Sequence, residues 1–191
     1  MQLTRESISR AALAILDEYG LADVTMRRVA SSLGVAPGAL YWHIENKQDL
    51  IYAVAEIICA PVLSADAEPG DTPGEVCAAL SAALLAHRDG AEVVSSAMSQ
   101  PASPLTAGIS ALLRAAVARE VEAAGAEASI SAQHAAADGL LYLTLGAVTV
   151  RQLTAQFAEA THAPSAPPGS GSSDIGTAAD FLIAGLLAST P

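Results

Sequence analysis

Cationic side chains are scarce in this chain: nine Lys and Arg stand against 20 Asp and Glu, a formal net charge of −11 over 191 residues. That balance excludes a protein that is basic all over and coats nucleic acid through charge alone. Aromatics make up only 4 % of residues although apolar ones reach 52 %, so a core has to be built from Ala, Leu, Val and Ile. Cysteine is limited to Cys59 and Cys77, with no CxxC and no His at ligand spacing. They read as reduced structural thiols, forming neither a disulfide framework nor a metal centre. Long apolar runs are missing too. Mean hydropathy is +0.40, yet the longest charge-free apolar run, Gly139 to Val150, is well short of the about 20 residues a membrane span needs. No basic segment leading into an apolar one stands at Met1, so the expectation is a cytoplasmic protein without membrane contact.

Catalytic signatures are equally scarce. The four histidines (His43, His87, His134, His162) are scattered, and no GxSxG, HExxH or GxxxxGK occurs. His134 and Asp138 lie four apart, a spacing that suits a hydrogen bond on a helix surface at least as well as a dyad. The expectation is a protein that is not an enzyme, with no cofactor and no metal.

What the chain does have is helical punctuation, densest from Thr25 to Lys47, TMRRVASSLGVAPGALYWHIENK. Thr25 is placed to cap a short helix whose apolar positions Val29, Ala30 and Leu33 recur at helical spacing. Gly34 supplies a tight turn, because glycine tolerates the positive φ that ends a helix abruptly. Pro37 suits the first turn of a second helix, predicted over Pro37 to His43, where its missing N–H costs nothing. Small Gly38 and Ala39 let that helix's N-terminal end approach base edges in a major groove. The next helix opens at Asn46, with Lys47 placed to meet a phosphate. The pattern is that of a DNA-reading helix-turn-helix.

At these residues the chain resembles the TetR family of dimeric, ligand-responsive bacterial repressors, most specifically in Leu40 to Leu50, LYWH-x-x-NK-x-x-L. The resemblance implies that Tyr41, His43 and Lys47 contact backbone phosphates. Thr25, at the start of the first motif helix, joins the expected DNA-contact residues. Arg27 is placed to reach a guanine or a phosphate, and Arg28, its neighbour, points elsewhere with contact or solvation both open. Trp42 fits either the head's core or a sugar. Pro37, Gly38 and Ala39 form the leading edge; they offer methyl contacts and no hydrogen-bond code, so discrimination rests on few side chains and on DNA shape.

Dividing the charge removes the apparent conflict with DNA. Residues 1–48 hold five basic and five acidic groups, and residues 49–191 carry four basic and fifteen acidic ones. The expected organisation is all-α, with a DNA-binding head over 1–48 and a helical ligand-binding and dimerisation domain over 49–191. Helices are expected over Arg5 to Tyr19, from Asn46 to Pro61, Gly74 to Arg88, Glu92 to Ser99, Leu105 to Ala124, Ser129 to Ala160 and Asp174 to Ala188. Ser64 to Pro73 reads as a loop and domain seam. The stretch 161–173, rich in Pro, Gly and Ser, reads as a linker. Ala135, Ala136, Gly139, Gly146 and Ala147 permit close helix approach. They serve either the monomer core or, as the resemblance implies, a four-helix dimer interface built with the last helix.

His87-Arg88-Asp89-Gly90-Ala91 and Thr144-Leu145-Gly146 resemble segments of the tetracycline repressors themselves. The magnesium–tetracycline site does not carry over, because Val94, Val150 and Leu63 stand where the resemblance implies chelate-holding polar residues, and none of them ligates a hard cation. What remains is an expected apolar cavity for a small, largely apolar inducer. Its candidate contacts are Ser95, Met98, Gln133, Asp138, Tyr142 and Thr144, with Ser96, Gln100, His134 and Thr149 behind them. The reading is a homodimeric repressor of a palindromic DNA operator, released by that molecule. A ligand-free activator or nucleoid-type binder, and a small-molecule module with a vestigial head, stay open at this point.

Overall fold

The computed structural model describes residues 3–162 and 172–188, and all secondary structure among them is helical. The helices are α1 Arg5–Tyr19, α2 Met26–Ser32, α3 Pro37–Leu40, α4 Lys47–Leu63, α5 Pro73–Leu85, α6 Gly90–Met98, α7 Pro104–Ala123, α8 Ile130–Thr161 and α9 Ser172–Ala188. A short 3-10 turn, Leu21–Asp23, joins α1 to α2. Most of the expected linker lies outside the described residues. No described helix is long and apolar enough to cross a membrane.

Local chemistry sets most boundaries. Thr4 and Ser7 form a reciprocal capping box on α1, and Thr72 and Glu75 form another on α5. Ser103 and Ser129 cap α7 and α8 through their hydroxyls. Three ends differ from the sequence expectation. The helix α3 stops at Leu40 rather than His43, because residues 41–43 turn to carry Ile44 into the core, where it is fully buried. The helix α4 continues through Pro61 to Leu63, since Val62 beyond the proline is buried and Leu63 packs on Gly108. The helix α5 ends at Leu85 rather than Arg88. There Asp89 takes the left-handed conformation at φ 55, and Gln152 of α8 donates to the carbonyls of Leu84 (3.1 Å) and His87 (2.8 Å).

The head packs Ile8, Leu16, Val29, Leu40 and Ile44 around α1 to α3, and Leu50 of α4 closes it. Each such side chain contributes about 1.5–3 kcal/mol of burial. In the body α4 lies on α6 and α5, while α5 is flanked by α8 and α9. Gly139 of α8 faces α9, where an added Cβ would meet Leu182 at 3.3 Å; Gly146 faces open space.

Candidate nucleic-acid interface

The helix-turn-helix begins where the Thr25 hydroxyl accepts a hydrogen bond from Arg28 N–H at 3.2 Å, holding the first turn of α2. At its far end Gly34 sits at φ +68 with nothing within 4 Å of an added Cβ, so the turn needs its backbone freedom rather than its size. Val35 N–H then returns to the carbonyl of Ala30 at 3.0 Å. One turn of helix follows, with Pro37 at its start and Leu40 pinned in the core. Pro37 and Gly38 are exposed and Ala39 is half-buried. This is the small, smooth edge expected from the sequence.

Beyond α3 the chain presents Tyr41, Trp42 and His43 in succession. Tyr41 is 55 % exposed and Trp42 89 %. Trp42 is therefore outside the head's core, which rules out one of its two sequence readings. Lys47 stands exposed at the first position of α4, next to the Asn46 cap.

Ion pairing sorts the head's five cations. Arg5 pairs with Asp49 at 2.8 Å, Arg10 with Glu6 at 2.9 Å, and Arg28 with Asp23 while it lies 3.8 Å above the Tyr19 ring. Arg27 and Lys47 have no ion pair among the described residues and both are exposed. Arg28 is thus committed within the head, bracing α2 against the end of α1.

Several residues that hold this edge in place escape sequence reasoning. Asp49 accepts from Glu45 N–H at 2.9 Å as well as from Arg5, fixing the start of α4. Gln100 donates to the carbonyl of Gln48 at 3.2 Å, and Leu105 N–H donates to the Tyr52 hydroxyl at 3.2 Å. On the other side Leu21 N–H donates to Asp89 at 2.7 Å, and Asp17 meets His87 at 3.1 Å. Apart from Glu45 and Asp49, four apart at the start of α4, these partners are dozens of residues apart in sequence, so no spacing rule points to them.

The expected ligand contacts do not converge. Ser95 and Met98 are half-buried on α6, and the Met98 carbonyl accepts from Thr106. Gln133 donates to Ala128 O at 2.9 Å, and Asp138 pairs with Arg114 at 3.4 Å. Thr144 is buried and donates to the carbonyl of Leu140. Tyr142 is turned outward by the helical step of α8, 69 % exposed. Clefts of about 480 and 520 Å³ lie between head and body instead, and none of the six residues lines either. Of the three apolar replacements, Val94 is fully buried, Val150 is exposed and Leu63 is half-buried.

A three-helix head offering a small-residue edge, an exposed aromatic cluster and two free cations, set beneath an all-helical body, defines a helix-turn-helix transcriptional regulator. Residues 8–54 match the family described as bacterial regulatory proteins, tetR family. The class C tetracycline repressor protein of Escherichia coli is 34 % identical over 165 residues, 83 % of this chain and 70 % of that one. The crystal structure of Mycobacterium smegmatis BioQ superposes with a TM-score of 0.79 at 38 % identity, covering 98 % of this chain and 99 % of that one. BioQ solved with its natural double-stranded DNA operator gives 0.74 at 35 % identity, with the same coverage. The chain belongs to the TetR family.

Proposed function

We propose that the protein is a homodimeric repressor that docks two heads on an inverted-repeat operator and is released by a small, largely apolar molecule. The observation that carries this reading is that Arg27 and Lys47 are exposed without an ion pair among the described residues, in a head that also exposes Tyr41, Trp42 and His43. Lys47, Tyr41 and His43 donate to phosphates, and Trp42 lies against a sugar. Arg27 reaches a guanine edge, while Pro37, Gly38 and Ala39 meet thymine methyls. Thr25 holds the end of α2 that faces the backbone. BioQ bound to its operator supports the same use of this fold.

Residues 1–48 form the reading unit, and residues 49–191 bind ligand and the second protomer. Dimerisation uses α8 and α9. Tyr142, Val150, Leu153 and Phe157 form one exposed apolar face on α8, and Phe181 of α9 is 74 % exposed. A single short recognition helix reads too few bases alone, and pairing multiplies its affinity.

The test is selection of binding sites from random duplex DNA with the purified protein. An inverted repeat is the expected product, and it supplies the probe for finding compounds that release the protein. Recovery of no motif at low and moderate salt would overturn the reading.

A further inference from the structure

The turn between α5 and α6 sits where three parts of the molecule meet. Asp89 is largely buried, and its two carboxylate oxygens face different elements. One accepts from Leu21 N–H of the head at 2.7 Å, and the other accepts from the Gln156 amide of α8. The head approaches it closely at Gly20, φ +87, where an added Cβ would lie 3.0 Å from the Asp89 carboxylate. Gln152, one turn before Gln156, clasps the same loop by donating to the carbonyls of Leu84 and His87 and accepting from Ala91 N–H at 3.1 Å. Arg88 approaches Glu159, also on α8, at 3.6 Å. Gln152, Gln156 and Glu159 therefore lie on one stripe of α8. Leu153 and Phe157, exposed at 57 % and 69 %, lie about 100° round the same two turns.

We infer that Asp89 and Gln156 are positioning residues that key each DNA-reading head to α8, and through it to the partner protomer. This rests on the proposed homodimeric DNA reader and adds how its two heads acquire a fixed separation. The head is also tied to the body by α4, against which α1 packs, by Gln100 on the carbonyl of Gln48, and by His87 and the Arg88 N–H on Asp17. The Asp89 contact, just beyond the far end of α1, adds a side chain that bonds the head and α8 at once, and so limits how far the head swings about α4. Leu21 and Gln156 each occupy a different oxygen of the carboxylate, so removing the Gln156 donor breaks the link to α8 without emptying the core.

Two substitutions on α8 and one exchange test this. Gln156→Ala removes the donor, and Gln156→Glu opposes Asp89 with a second carboxylate. Adding Asp89→Asn to Gln156→Glu restores the pair with donor and acceptor reversed, and asparagine tolerates the left-handed backbone at position 89. The probes are the selected operator, the same operator with its half-sites one base pair closer or further apart, and a duplex carrying one half-site. Dimer mass and melting temperature are measured alongside.

The wild type is expected to prefer its native spacing by about tenfold or more, since both heads must reach their half-sites together. Both single variants are expected to lose most of that preference while staying dimeric and keeping wild-type binding to the single half-site. The double variant is expected to recover it. An unchanged spacing preference in folded, dimeric single variants overturns the inference. So does a parallel loss on the single half-site, which would place the contact's effect inside the head. A wild-type protein that binds no duplex overturns the DNA-reading proposal itself, and this inference with it.

Discussion

Arg27 and Lys47, the head's two exposed cations without an ion pair among the described residues, carry different proposed roles on DNA. Lys47 presents a point charge at the start of α4, so Lys47→Ala is expected to weaken binding to all sequences alike and to lower the salt slope by about 1. Arg27→Ala is expected to cost about 1–3 kcal/mol and to relax preference at one position per half-site. Repeating the site selection and a salt titration with each variant separates the two outcomes. The Thr25 cap, the Gly34 turn and the helix start at Lys47 were legible because caps, turns and helix starts are local chemistry. Arg28 was not, since Tyr19 and Asp23 reach it only once α1 and α2 are folded together. Burial governs the thiols in the same way. Desolvation pushes the Cys59 thiol up to about 12, holding it in the unreactive protonated form. Native protein at pH 8 is expected to resist thiol alkylation at Cys59, and unfolded protein to react. A raised acid pKa favours the fold below the unfolded value, so this contribution fades as pH climbs through the alkaline range toward 12.

Single turns and caps decide more here than long helices do. Gly34 occupies the left-handed region in open space, so Gly34→Ala is expected to cost only the backbone penalty, about 1–2 kcal/mol. Gly90→Ala is a different case: its Cβ would fall 2.2 Å from the carbonyl oxygen of Leu84 and force the α5–α6 turn apart. Thermal melts of the two variants are expected to show the larger loss for Gly90. The Thr72–Glu75 box gives a pH signature. Hydrogen bonds from Thr72 N–H, the Thr72 hydroxyl and Asp71 N–H hold the Glu75 carboxyl below its ordinary value. A lowered carboxylate pKa stabilises the fold above the unfolded value, and that support is lost as pH falls through the folded one. Melting temperature is thus expected to drop less steeply in acid for Glu75→Gln than for the wild type. Helix starts were readable from the sequence, whereas the early end of α5 was not, because the amide that caps it comes from Gln152, 68 residues beyond Leu84. The six expected ligand contacts were chosen by residue type, which does not fix direction, and in the fold Tyr142 faces out and Asp138 is paired with Arg114.

A chain of net charge −11 leaves its DNA affinity to very few cations. With one phosphate-facing cation per head, Lys47, a dimer neutralises about two phosphates, giving a slope of log affinity against log salt near −2, shallow for a protein–DNA pair. A titration from 50 to 200 mM salt checks it, and a slope several units steeper would mean that the paired arginines swing out to DNA. The all-helical class and the head-and-body division were readable because helical periodicity and caps repeat along the chain. The spatial ties between head and body were not. The exposed apolar face of Tyr142, Phe157 and Phe181 also has an effect beyond geometry. Below the dissociation constant of the pair, the amount of dimer follows the square of protomer concentration by mass action, so halving synthesis leaves about a quarter of it. Control by this protein is in that regime a matter of gene dosage as much as of inducer: a modest fall in its own expression opens the promoter without any ligand.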